Sequence, residues 1–121
     1  IASGHDPRGP EDKRLPFSDA EPGMAGAETL LAMTLSLVRD EVIDIGRAFE
    51  LVATKPAEIL GVPAGAIAPG LEADVAIIDP DRPWIIQSAK MEATAGNTPF
   101  DGQPTQGRVL HLYKGGVPIR H

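Results

Sequence analysis

The stretch SGHDPR, residues 3–8, sets a hydroxyl, an imidazole, a carboxylate and a guanidinium almost side by side. A carboxylate such as Asp6 can carry a proton or serve as a hard ligand to a metal ion. Arg8 offers a permanently charged, two-pronged donor suited to a carboxylate. Each residue also has a plainer use. Asp6 before Pro7 makes a common turn cap, Arg8 can pair in solvent with Glu11 or Asp12, and a loop His5 is usually hydrogen-bonded or solvated. In an extended strand end, positions 4 and 6 point to the same side. Gly4 also permits a bulge or an unusual φ that re-aims Asp6.

The elements around this motif must present it. Ile1–Ser3 reads as the end of a buried strand. Residues 4–23 contain four prolines and three glycines, so a long loop is expected rather than helix or ladder. From Ala25 the texture changes. Leu30, Leu31, Met33, Leu35, Leu37 and Val38 are dense enough for a largely buried helix ending about Arg39. Ile45–Thr54 predicts a second helix with Ile45, Phe49, Leu51 and Val52 inward. Lys55–Pro56 restarts it, and Gly61 stops it. Short strands are predicted at Asp74–Ile78 and Trp84–Ile86. RVLHLYKGGVPIRH predicts a hairpin that turns at Gly115–Gly116 and returns from Val117 to Arg120.

Composition narrows the partners. The 121 residues are 42% apolar with few aromatics, enough for a modest aliphatic core. A net charge of −6 with scattered Lys and Arg argues against nucleic acid. No apolar run approaches the roughly 20 residues of a membrane span, and the absence of cysteine suits a reducing cytoplasm. Helices followed by short strands and long loops make a poor self-contained core. A chain that opens at Ile1 directly on the motif therefore reads as part of something longer, with neighbours that bury it.

Read in order, SGHDPR, KRLPF (13–17), PGMAGAET (22–29), KPAEILG (55–61), GLEADVAIIDP (70–80), NTPFDG (97–102) and GRVLHLYKGG (107–116) resemble the C-terminal part of a dihydroorotase, in the amidohydrolase superfamily. NTPFDG favours that family over hydantoinases, which remain an alternative. The resemblance implies an α/β fold. Residues 1–62 would form the end of a TIM (β/α)8 barrel: the last strand end, its loop and the closing helices. Residues 63–121 would supply the C-terminal strands of a small β-sandwich. The motif would then lie at the barrel face that carries active sites.

The implied reaction interconverts N-carbamoyl-L-aspartate and dihydroorotate in pyrimidine biosynthesis, with zinc activating a water and an aspartate carrying the proton. The family aspartate aligns with Gly4, which can do neither job. Asp6 is the candidate to replace it as catalytic residue and metal ligand, with turn capping as the alternative. Arg8 stands where the family has a histidine that helps hold the substrate carboxylate. Pro22 and Gly23 match the loop whose backbone contacts the ring, and they also suit a plain loop-to-helix junction. His5, Lys13, Phe17 and Asn97–Gly102 are assigned to loop anchoring and packing, and Trp84, His111 and His121 to structure or surface. Most zinc ligands would lie upstream, so the 121 residues alone should be inert. The resemblance further implies a cytoplasmic homo-oligomer that needs the rest of its barrel and takes a small-molecule substrate. A second possibility is a catalytically dead homologue that serves as structural partner of aspartate transcarbamoylase, which Gly4 would fit.

Overall fold

The computed structural model describes residues 1–119, so Arg120 of the expected return strand and His121 lie outside it. Most of residues 4–23 is loop, as expected, but one helical turn, α1 (Pro10–Lys13), interrupts it. Proline does not exclude helix here because Pro10 takes the first helical position, where a missing N–H costs nothing. Ile1–Ser3 forms no strand. Pairing begins at His5, which bridges Met24 in a parallel sense, and the Asp6 N–H donates to the Met24 carbonyl at 2.8 Å.

Helix α2 (Leu30–Arg39) starts later than Ala25 because Ala27–Thr29 form a turn, with the Thr29 hydroxyl donating to the Gly26 carbonyl at 3.2 Å. Ala32, Thr34 and Leu35 are fully buried, and the other residues up to Val38 are at least half-buried, as a helix apolar on most sides requires. Asp44 caps α3 (Ile45–Phe49) by accepting from the Arg47 N–H at 2.7 Å. A π-helical turn, Glu50–Thr54, then leads into α4 (Lys55–Leu60). The α-helix restarts at Lys55, as expected, without a break in the helical backbone. Pro56 would press on the carbonyl one turn back in a regular α-helix, and the wider turn relieves that contact. Gly61, with φ of 66°, ends the helix where expected.

The buried residues of this second helix are Ala48 and Ala57, whereas Ile45 and Phe49 are 44% and 38% exposed. The expected inward set is corrected at Ile45 and Phe49, while Leu51 and Val52 are at least half-buried.

Strands β1 (Val75–Ile85), β2 (Pro104–Lys114) and β3 (Val117–Ile119) form an antiparallel sheet in that order. The two strands expected at 74–78 and 84–86 are one bent strand whose register breaks between Asp79 and Pro83. Pro80 and Pro83 withhold N–H groups from the ladder there, which bends the strand without ending it. The Gly115–Gly116 turn falls as expected, and Asp74 holds it by accepting from the Gly115 N–H at 2.8 Å.

Helix α2 lies on β2, where Gly107 takes a φ of 101° and a β-carbon would meet Leu35 Cδ1 at 2.4 Å. Trp84 Nε1 donates to the Gly107 carbonyl at 3.0 Å, and the Arg108 guanidinium lies 4.2 Å from the Trp84 ring centre. Among the described residues, the buried apolar ones are few: Ala25, Ala32, Leu35, Ala48, Ala57 and Ile86. Ile77, Ile85, Val109, Leu110, Val117 and Ile119 of the sheet remain exposed.

Candidate active-site loop

The site forms where the His5–Arg8 segment meets the Pro22–Ala25 segment, bridged at His5 and Met24. His5 Nδ1 accepts from the Gly26 and Ala27 N–H groups at 3.2 and 3.1 Å. Two donors on one ring nitrogen require its lone pair, so the imidazole carries its proton on Nε2. His5 thus ties the strand end to the approach of α2. Gly4 has φ of 59°, and a β-carbon there would meet nothing within 4 Å. Position 4 is sterically open. Its left-handed backbone is also one that Asp and Asn tolerate better than most residues.

Arg8 is the hub. Its Nη2 donates to Asp6 Oδ2 at 2.8 Å and its Nε to the Pro22 carbonyl at 3.2 Å. Its backbone N–H donates to Asn97 Oδ1 at 2.9 Å, while Asn97 Nδ2 donates to the Gly23 carbonyl at 3.0 Å. The Asn97 carbonyl in turn accepts from the Ala25 N–H at 3.2 Å. The bond and charge of Asp6 raise the Arg8 pKa above its ordinary value, with smaller help from Glu21 and Asp12. Gly23 has φ of 117°, and a β-carbon on it would lie 2.4 Å from the Asp6 carbonyl oxygen.

Asp6, Arg8, Pro22 and Gly23, the four residues singled out in the sequence, are therefore brought together. Their mutual bonds were not foreseen. Arg8 pairs with Asp6 rather than Glu11, and the Pro22 and Gly23 carbonyls turn toward Arg8 and Asn97. Sequence reasoning noted Asn97 only as part of a packing signature. Lys13 anchors the loop as expected, donating to the Glu21 carbonyl at 2.6 Å. Phe17 does not: it is 99% exposed, so its anchoring role is corrected.

The zinc ion implied by the resemblance does not fit these residues taken alone. Among the described residues, no cluster of three or more His, Cys, Asp or Glu side chains is placed to hold a metal ion. The Asp6 carboxylate faces a guanidinium, and His5 Nδ1 is occupied by backbone donors. What the arrangement offers is a cation held by two partners on a backbone fixed by a third, suited to gripping an anionic group in a defined orientation.

Residues 18–119 match the Amidohydrolase family. The chain belongs to that family. The match begins after Asp6 and Arg8, but relatives extend over both. The dihydroorotase of Citrifermentans bemidjiense is 37% identical over 97% of this chain, and that of Anaplasma phagocytophilum 36% identical over 98%. The chain spans 28% and 27% of their lengths. Among solved structures, the L-hydantoinase (dihydropyrimidinase) of Arthrobacter aurescens superposes with a TM-score of 0.83 at 29% identity, covering 92% of this chain and 26% of that one. The dihydropyrimidinase of Brevibacillus agri gives 0.82 at 23% identity, covering 91% and 25%, a likeness of fold. Among the described residues, no helix is long and apolar enough to cross a membrane.

Proposed function

We propose that this amidohydrolase chain is part of a dihydroorotase-type enzyme that opens and closes a cyclic amide, with dihydroorotate as substrate. Residues 1–62 are read as the end of its barrel and 63–121 as part of its side sheet, with the zinc ligands outside this chain. The observation that carries the reading is the Arg8 constellation. A guanidinium bonded to Asp6 Oδ2 and the Pro22 carbonyl, its backbone fixed by Asn97, is a pre-oriented carboxylate receptor. The dihydroorotase relatives support the substrate class.

In this reading Arg8 binds the substrate carboxylate, Asp6 orients Arg8, and Pro22–Gly23 lie beside the ring. A proton-carrying or metal-binding role for Asp6 competes with its bond to Arg8, and the geometry favours orientation. The test is dihydroorotate hydrolysis by the full protein that carries these residues. Arg8→Ala should raise KM by about 30-fold or more, the loss expected for a charged hydrogen-bonded contact. Asp6→Asn should raise KM with kcat within about twofold. A kcat fall of about 100-fold would instead make Asp6 the proton carrier.

Gly4 favours a second reading, because it removes the family's proton-carrying carboxylate. The protein would then persist as a catalytically dead partner of aspartate transcarbamoylase. Dihydroorotate binding without turnover, together with co-purification of that enzyme, would decide for it.

A further inference from the structure

We propose that Asn97 is a positioning residue, whose carboxamide sets the place of Arg8 against the Pro22–Gly23 turn and so tunes the grip on an anionic substrate; this rests on the reading of Arg8 as carboxylate receptor. Asn97 lies 89 positions from Arg8 and 74 from Gly23, in the loop that follows β1. Its side chain spends both ends on the site. Oδ1 accepts from the Arg8 N–H at 2.9 Å, and Nδ2 donates to the Gly23 carbonyl at 3.0 Å. Only one orientation of a carboxamide satisfies an N–H on one side and a C=O on the other, so the assignment of oxygen and nitrogen is fixed by its neighbours.

The Asn97 main chain adds a third tie by accepting from the Ala25 N–H at 3.2 Å. Asn97 therefore holds the His5–Arg8 segment and the Pro22–Ala25 turn at one spacing. That spacing matters because the two segments also meet through the Arg8 side chain, whose Nε reaches the Pro22 carbonyl at 3.2 Å. With the clamp, the guanidinium is aimed by its backbone and by its side-chain partners together. Without it, the two segments stay joined at Asp6 and Met24, and Arg8 keeps its charge but loses the tie at its own backbone. Asn97 touches no reacting atom in this scheme and acts through Arg8.

Aspartate at position 97 keeps the acceptor for Arg8 and loses the donor for Gly23, whereas alanine loses both. Amide hydrogen exchange on the full protein reads the clamp without turnover. Asn97→Ala should speed exchange at Arg8 at least fivefold, and Asn97→Asp should leave it within about twofold of wild type, scaled to a single hydrogen bond. Unchanged exchange at Arg8 in Asn97→Ala would overturn the clamp whatever the enzyme does. If Asn97→Ala fails to fold, equal loss of Arg8 protection in the folded Asn97→Asp variant would also overturn it.

The functional half is read from a double-mutant cycle on dihydroorotate hydrolysis. Asn97→Ala should raise KM about tenfold with kcat within about twofold. Added to Arg8→Ala, it should raise KM little further, because both changes remove one interaction. Additive effects would overturn action through Arg8. A wild-type protein that does not bind dihydroorotate would overturn the assignment to substrate grip and leave the exchange result to judge the clamp alone.

Discussion

Gly23 packs so tightly on Asp6 that a β-carbon would sit 2.4 Å from the Asp6 carbonyl oxygen and 2.8 Å from its Oδ2. Backbone atoms cannot give way there, and a φ of 117° is itself unfavourable for any side chain. Gly23→Ala should therefore displace the turn from Asp6 and cost about 1–3 kcal/mol. Thermal unfolding checks the stability loss. Dihydroorotate KM should rise with it, since the same turn supplies the carbonyls that face Arg8 and Asn97. A variant with wild-type melting temperature and KM would refute this account.

Gly107 and Leu35 make the corresponding contact between sheet and helix. A β-carbon at Gly107 would meet Leu35 Cδ1 at 2.4 Å, and φ is 101°. Gly107→Ala should destabilise by about 2 kcal/mol through overpacking and backbone strain together. Because part of that cost is the collision, Leu35→Ala in the Gly107→Ala background should cost less than the same change in wild type. Simple additivity in chemical denaturation would locate the whole effect in the backbone.

How much of this was readable beforehand depended on how local each signal was. The Gly115–Gly116 turn and the stop at Gly61 need left-handed glycine and nothing else, and both stand where expected. Pro22 and Gly23 stand out because they match a family pattern, Asp6 and Arg8 for their own chemistry where the chain departs from it, and all four converge. Their bonding was not legible. Arg8 is joined to Asn97 across 89 positions, which no short-range pattern reports. Hydrophobicity alone predicts Ile45 and Phe49 inward, yet the buried residues are Ala48 and Ala57. Two separate apolar runs predict two strands, whereas pairing with one partner strand carries β1 through the register shift between Asp79 and Pro83.

Thr34 presents a different kind of mismatch. Its side chain is buried at 3% exposure, and among the described residues its hydroxyl has no hydrogen-bond partner. An unpaired buried hydroxyl is costly, and valine has nearly its shape. Thr34→Val should stabilise the protein by about 1 kcal/mol, seen as a higher denaturant midpoint with unchanged slope. Destabilisation would mean that the hydroxyl is satisfied in the full protein.

Acid should loosen the sheet end and the loop around Ile86 before it affects α2. The Lys114 ammonium and the Gly115 N–H hold the Asp74 pKa below its ordinary value, and the Ser88 N–H, at 2.7 Å from Oδ1, does the same for Asp101. A carboxyl whose folded pKa is depressed adds stability that is fully present above its unfolded value, about 4. That contribution is lost as pH falls through the lower folded value. Between pH 7 and pH 3 the wild-type melting temperature should therefore drop more than that of Asp74→Asn or Asp101→Asn. Both groups are solvent-exposed, so salt should shrink the Asp74 effect through screening of Lys114 and spare the backbone bond to Asp101. Parallel acid profiles for wild type and both variants would show that neither carboxylate supports the fold.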